Sequence, residues 1–528
     1  MAAVPRCLLT IGASLLTARA AGRLRRTTNA GSLQGDAFAD LTSKLSLSSV
    51  WGEMGVEAGM GYNEFRKKVP LQTYEDLAPH IADMKKGKAD VLWPGYCHIF
   101  AMSSGTTTGT AKCIPVNEAM LDHFRLAGRE SMLWYTARVG NTRVFRGRHL
   151  FLGGSNPLVA IAGTEPFEAY AGDLSGIAAL NLPRWMEKHL YEPGTEIAQI
   201  ADWSTKIAAI TRRTAHADIS LLAGIPNWVL LLAEAQLADG AGGKPRANLQ
   251  EIWPRLECFV HGGVPVAPFH DQLRRMLGPN VNFHEVYPAS EAFIAAQDAD
   301  ASAGLRLIAD AGVFFEFVPM AAFDEAKISD LGARAVPASG VRTGVDYAIV
   351  VTTPAGLARY VVGDVVRFLS TEPLRIVYVG RTQLRLSAFG EHVVEREITD
   401  ALLAVCRRNG WTIVNFHVAP IFTSSTTGRS HGRHEWWVEL KPGTPLTPTG
   451  PIIALELDAE LKRLNPDYET KRNNGGLEAP FVRLVMPGVF EQWMRFHGKW
   501  GGQNKMPHCQ DDRVIADELG SALQFAND

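Results

Sequence analysis

The chain has 528 residues, 46% of them hydrophobic, with 53 Lys plus Arg against 55 Asp plus Glu for a formal net charge of −2. That length supplies material for two or more hydrophobic cores, and the near balance of charge argues against nucleic acid as a partner. The six cysteines (Cys7, Cys97, Cys113, Cys258, Cys406 and Cys509) show no short pairing. They favour reduced thiols in a cytoplasmic protein over a disulfide or zinc framework, and a small soluble substrate fits this composition best.

The first twenty residues, MAAVPRCLLTIGASLLTARA, imitate a secretory signal, with one basic residue, an apolar run and small residues at Ala18 and Ala20. Leu8, Leu9, Ile11, Leu15, Leu16 and Leu24 also fit one face of a helix that runs into a basic stretch, so a helix docked on the body is expected, with export as the alternative. No later apolar run approaches transmembrane length, and no membrane partner is expected.

Next comes IFAMSSGTTTGTAKCIP at 99–115, a hydroxyl-rich glycine loop between apolar flanks. Unshielded backbone N–H groups and rotatable hydroxyls suit a polyphosphate, but the same composition suits a plain linker. A Walker loop is excluded: Gly105 and Gly109 enclose three residues instead of four, and Thr110 stands where the lysine belongs. Asn117 is placed to cap a helix through Met120, Leu121, Phe124 and Leu126, and Pro226 opens another. β-Rich runs follow at 256–260, 281–286, 313–318, 346–353, 358–369 and 375–379, giving a mixed α/β pattern. From about residue 390 the order becomes helix, two strands, helix, strand, the outline of a separate small α+β unit.

Four segments carry candidate chemistry. Tyr287, Ser290 and Glu291 in YPASE follow a strand, where α/β sheets place ligand contacts; the blander reading is a turn with an exposed Glu starting a helix. Gly262 and Gly263 either permit a tight bend or let a flat ring approach the backbone. Asp364 sits in the apolar run RYVVGDVV, so it either binds ribose hydroxyls or marks a hairpin turn at Gly363-Asp364. Lys505, in GGQNKMP, is either a mobile catalytic cation or a solvated loop lysine.

Taken in order, SSGTT (103–107), WPRLECFVHGGV (253–264), YPASE (287–291), FFEFVP (314–319), TTPAGLARYVVGDVV (352–366), LNPDY (464–468) and GGQNKMP (501–507) resemble a known family. It is the acyl-acid amido synthetases that conjugate auxin and jasmonate in plants and have bacterial relatives, a branch of the acyl-adenylate-forming superfamily. The resemblance covers about residues 70 to 510. It implies a large N-terminal α/β domain of several subdomains with a β-barrel-like part (1–385), a hinge (386–392) and a smaller mobile α+β domain (393–528). It implies ATP and Mg²⁺ as cofactors, a carboxylic acid and an amine, amino acids included, as partners, and a monomer or weak homo-oligomer.

By position, the resemblance places Ser103, Ser104 and Thr106 on the ATP phosphates, with Gly105 and Thr107 completing the loop and Gly263 and Ser290 beside the nucleotide. Tyr287 would contact adenine, Glu291 would help hold magnesium, and Asp364 and Arg381 would serve the ribose. Lys505 would reach the acyl carboxylate and α-phosphate. Plant members carry a hinge lysine where this chain has His392, while Gly390 remains a pivot. The acyl pocket is expected near Trp228 and Val264, with a core-packing role for Trp228 as the alternative. An acyl-CoA ligase and a non-catalytic nucleotide-binding relative are the competing readings.

Overall fold

The computed structural model describes residues 6–25, 30–103, 112–153, 158–200, 202–238, 246–263, 266–382, 385–386, 391, 393–423, 431–442, 449–473, 477–500, 506–510 and 512–525. The chain divides into two compact units. Met1–Val362 and Val366–Val377 make up most of the first; Gly363–Val365, Tyr378–Trp500 and Asn504–Asp528 make up the second.

The first unit is organised by a twelve-stranded sheet. In spatial order its strands are Val336–Pro337, Phe314–Pro319, Asp346–Thr352, Tyr360–Thr371, Leu374–Arg381, Leu305–Leu307, Phe293–Ala296, Asn282–Pro288, Cys258–His261, Ile219–Gly224, Arg148–Leu152 and Tyr191–Glu192. From Asn282–Pro288 to the last strand every pairing is parallel, whereas the pairings recorded on its other side are antiparallel. The paired strands Phe314–Pro319 and Asp346–Thr352 are buried along nearly their whole length and read as apolar runs, FFEFV carrying the single acid Glu316, because both their faces are covered.

A second, four-stranded sheet holds Lys112–Pro115, Ile99–Ser103, Tyr170–Gly172 and Val159–Ala160 in that order. The long helix Glu118–Val139 starts where its sequence said it would: the Asn117 side chain accepts the Met120 N–H at 2.9 Å, and Gly140 ends the helix in the left-handed region at φ 72°.

The N-terminal helix Arg6–Arg25 docks on this long helix, with Thr17 Oγ1 2.8 Å from Thr136 Oγ1 and Ser14 Oγ 3.3 Å from Thr142 Oγ1. The expected apolar face is corrected in part. Leu24 packs with Ala127 and Trp134, but Leu15 and Leu16 point outward, 63% and 42% exposed. Polar threonine contacts, and not a leucine stripe, hold this part of the helix. Among the described residues no helix is long and apolar enough to cross a membrane.

The second unit is built on the sheet Ile413–Thr423, His431–Leu440, Phe481–Val485, antiparallel then parallel. Period-2 alternation along its middle strand sends Trp436 and Val438 to one core, against helices Glu395–Asn409 and Gly450–Leu464, and Trp437 to the other, with Val489–Phe496 and Val514–Phe525. The helices at 489–496 and 514–525 extend the expected helix, two strands, helix and strand.

Candidate functional site

The glycine-rich loop can be located from its flanks. Ile99–Ser103 pairs antiparallel with Lys112–Pro115, and the ladder reaches Ser103 opposite Lys112. Residues 104–111 therefore join two paired strands, unlike a Walker loop, which leads from a strand into a helix. The exit strand is tied down by Tyr74, whose hydroxyl accepts the Cys113 N–H at 3.0 Å while its ring faces the Lys112 ammonium at 5.7 Å. Ser104, Gly105, Thr106 and Thr107 lie outside the described residues, as does the Ser103 side chain.

Tyr287 belongs to the strand Asn282–Pro288 itself and pairs with Ala295 of the next strand. The blander expectation for Glu291, an exposed residue starting a helix, is overturned. No helix follows it, and it is 6% exposed, set with Ser290 in the turn into Phe293–Ala296, where the Ala289 N–H meets the Ala292 carbonyl at 2.8 Å. A buried carboxylate is costly and demands partners. The return strand is fixed by a residue the sequence reading passed over: His123, on the long helix, donates from Nδ1 to the Ala311 carbonyl at 2.7 Å and accepts the Phe293 N–H on Nε2 at 2.9 Å. Burial pushes His123 down to about 4, so it is neutral, and its two bonds select the tautomer.

Gly262 and Gly263 have separate structural reasons. A Cβ on Gly262 would lie 2.1 Å from the Val286 carbonyl oxygen, and Gly263 sits at φ 78°. The tight bend is thus present on its own grounds.

The hairpin reading of Gly363-Asp364 is overturned. The strand runs unbroken from Tyr360 to Thr371, with Gly363 at φ 89° and its carbonyl accepting the Thr382 N–H at 2.8 Å. Within the second unit, Asp364 Oδ1 stands 3.2 Å from Arg381 Nε, with 13% and 29% of the two side chains exposed. The Tyr378 phenol beside them is held well above its usual range, first by burial and then by the charges of Glu395 and Asp364, which Arg381 opposes.

Two motifs prove to be halves of one structure. Arg359 of ARYVV and Glu316 of FFEFVP are 0% and 1% exposed and pair at 2.9 Å. The guanidinium also donates to the carbonyls of Arg66, Val69 and Gly332, and the Tyr62 hydroxyl donates to Glu316 at 2.9 Å. An acid and a base each isolated in an apolar strand were the available signal, and their pairing makes them a clamp inside the first unit.

Lys505 lies outside the described residues, but the chain just after it is anchored in the second unit. Met506 enters its core, the Pro507 carbonyl accepts from His417 Nδ1 at 2.7 Å, and Val418 bonds to His508 and Gln510 through the backbone. His392 and Gly390 also lie outside the described residues. Beside them, Glu391 is fully buried and accepts from His434 Nε2 at 2.8 Å. Trp228 is 2% exposed and packs edge-on against Trp203 with ring centroids 4.6 Å apart, which meets the core-packing alternative; Val264 is outside the described residues. Among the described residues no group of three or more His, Cys, Asp or Glu side chains is arranged to hold a metal ion. The site's acids are single carboxylates, a donor set that suits Mg²⁺ carried in on substrate phosphates better than a metal caged by protein alone.

A two-unit α/β chain of this order has the adenylate-forming ligase fold. It aligns over 94% of its length, and 91% of the other chain, with 2-hydroxyisobutyryl-CoA ligase in complex with 2-HIB-AMP, at a TM-score of 0.56 and 14% identity. The likeness is greater to the GH3.15 acyl acid amido synthetase in complex with 2,4-DB, with a TM-score of 0.75, 16% identity and 96% of both chains covered. Residues 23–282, 306–381 and 396–514 match the N-terminal, central and C-terminal domains of the GH3 family, and the chain belongs to that family. Among curated relatives, it is 24% identical to the indole-3-acetic acid-amido synthetase GH3.8 of Oryza sativa subsp. indica, across 94% of this chain and 92% of that one. It is 22% identical to the jasmonoyl–L-amino acid synthetase JAR4 of Nicotiana attenuata, across 72% and 74%.

Proposed function

We propose that this protein is an acyl-acid amido synthetase: it adenylates a carboxylic acid with ATP, releases pyrophosphate, and passes the acyl group to an amino acid or other amine. The observation that carries this reading is the match to all three GH3 domains in their proper order along residues 23–514. The relatives named for amide formation favour an amine over coenzyme A as acceptor. We place the protein in the cytoplasm, as a monomer or weak homo-oligomer, a reading supported by the free thiols of Cys97, Cys113, Cys258, Cys406 and Cys509.

The chemistry follows from charge. A carboxylate is a poor electrophile and is repelled by ATP, so the site must neutralise the phosphates where the two anions meet. Ser103, Ser104, Gly105, Thr106 and Thr107 would cradle the phosphates from the hairpin loop, while Tyr287, Gly263 and Ser290 would hold the base. Asp364, oriented by Arg381, would accept from the ribose hydroxyls. Glu291 would hold Mg²⁺, which supplies charge neutralisation at the phosphates when bound. Lys505, brought up by a small domain (393–528) turning on a hinge at 386–392 against the large domain (1–385), would steady the acyl oxygen as it attacks the α-phosphorus. Pyrophosphate leaves, the amine nitrogen attacks the acyl carbon and loses a proton, and AMP departs.

The test is acid-dependent exchange of pyrophosphate into ATP over aryl, indolyl and aliphatic acids, followed by product analysis with amino acids and with coenzyme A. Exchange with at least one acid, and an amide product, are expected. No exchange with any acid would leave a nucleotide-binding relative, and a thioester product would make the protein an acyl-CoA ligase.

A further inference from the structure

Three residues beyond Lys505, the His508 ring lies flat on Phe416, with centroids 4.2 Å apart and planes at 17°, and its Nδ1 stands 3.1 Å from Glu395 Oε1. The imidazole is thus packed between the Phe416 ring and the Glu395 carboxylate. Its two partners come from separate places in the chain. Glu395 is the first residue of the helix Glu395–Asn409, just past the expected hinge, while His508 is on the segment that pairs with the strand Ile413–Thr423. Both side chains are largely covered, 19% and 15% exposed, so the contact lies mostly out of solvent. Glu395 also acts on Tyr378, whose other charged neighbours are Asp364 and Arg381, and Cys509 lies in the same group. Tyr378 thus lies within electrostatic reach of the Asp364–Arg381 pair, of Glu395 and of Cys509, all in the second unit.

We propose that His508 and Glu395 are positioning residues for Lys505, setting the lysine segment against the same base that holds Asp364 and Arg381. The backbone bonds of Val418 fix where this segment lies, and the His508 side chain is what ties it to the start of the post-hinge helix. Without that tie the lysine would remain attached to an ordered segment but lose its aim. Misplacement of about 1 Å in a charge-stabilising group costs on the order of 100-fold in rate. This inference rests on the role proposed above for Lys505.

The experiment is a double-mutant cycle read by acid-dependent ATP–pyrophosphate exchange. His508→Ala and Glu395→Gln should each slow exchange roughly 10- to 100-fold at saturating ATP, with the KM for ATP nearly unchanged, because the pair acts on the lysine and not on nucleotide binding. His508→Gln keeps a polar side chain of similar reach facing Glu395 and should restore part of the rate. In a Lys505→Ala background, His508→Ala should change exchange by less than about 2-fold, since residues acting as a unit are not additive. The isosteric Glu395→Gln carries the test should His508→Ala fail to fold. If Lys505→Ala itself left exchange unchanged, the reading on which the proposal rests would fall. If that variant were slow but the His508 and Glu395 changes were silent, or fully additive with it, the positioning role would be wrong while the lysine's role stood.

Discussion

Arg359–Glu316 and Arg381–Asp364 are two arginine–carboxylate pairs drawn from the same motif-rich stretch, and they differ in how far water reaches them. In the first, both side chains are sealed from water and the guanidinium spends its remaining donors on the carbonyls of Arg66, Val69 and Gly332. In the second, 29% of the arginine and 13% of the aspartate remain open at a left-handed glycine. A sealed, saturated pair can do no more than hold the fold, whereas a pair left partly exposed can be reached from outside. The presence of charge in an apolar strand does not separate these cases; the accounting of donors and exposure does.

The comparison is broken most severely by removing one half of the sealed pair. Glu316→Ala should cost about 3–5 kcal/mol, because Arg359 stays buried without its counter-charge. Urea unfolding measures this, and a loss under about 1 kcal/mol would mean that Arg359 finds water or another acid. Lys505→Ala should slow pyrophosphate exchange roughly 100- to 1,000-fold with ATP binding largely intact, the size expected for losing one charge-stabilising donor. Unchanged exchange would remove Lys505 from the mechanism.

Acid should strip stability from outside both pairs. Burial lowers His123 and His417 from 6.5 to about 4, and His261 and His284 to about 3, so the unfolded chain takes up protons first. Their folded values are depressed, and stability is therefore full above pH 6.5 and falls as pH drops toward 4. Each such histidine costs up to about 1.4 kcal/mol per pH unit across that window. Unfolding midpoints that stay level from pH 7 to pH 5 would contradict this.

At the open pair, Asp364→Ala should weaken ATP binding about tenfold, near 1.4 kcal/mol, with little change in melting temperature. An unaltered ATP dissociation constant would sink the ribose assignment. Tyr62→Phe, which takes only one donor from Glu316, should cost about 1.5 kcal/mol or less and leave exchange untouched.

Much of this fold was legible in the sequence for local reasons. The Asn117 cap, the apolar strands 346–352 and 360–371, and the helix, two strands, helix and strand of the small unit all follow from periodicity and capping, which neighbouring residues settle among themselves. What failed depended on distant partners. Gly363-Asp364 looked like a turn because both residues favour turns, yet the strand continues through them, with the Gly363 carbonyl bonded to the distant Thr382 N–H. Glu291 looked exposed because glutamate usually is, and Leu15 and Leu16 looked docked because leucine usually is. His123 left no local trace at all; its two bonds reach the carbonyl of Ala311 and the amide of Phe293, far along the chain.

The hairpin around residues 104–111 has a consequence for how this protein tolerates change. Its two ends are clamped in register at Ser103 and Lys112, so residues added or removed between them shift neither strand. Doubling such a loop costs only about 0.6 kcal/mol in closure entropy. The length between Ser103 and Lys112 can therefore change at small cost to the two strands that flank it.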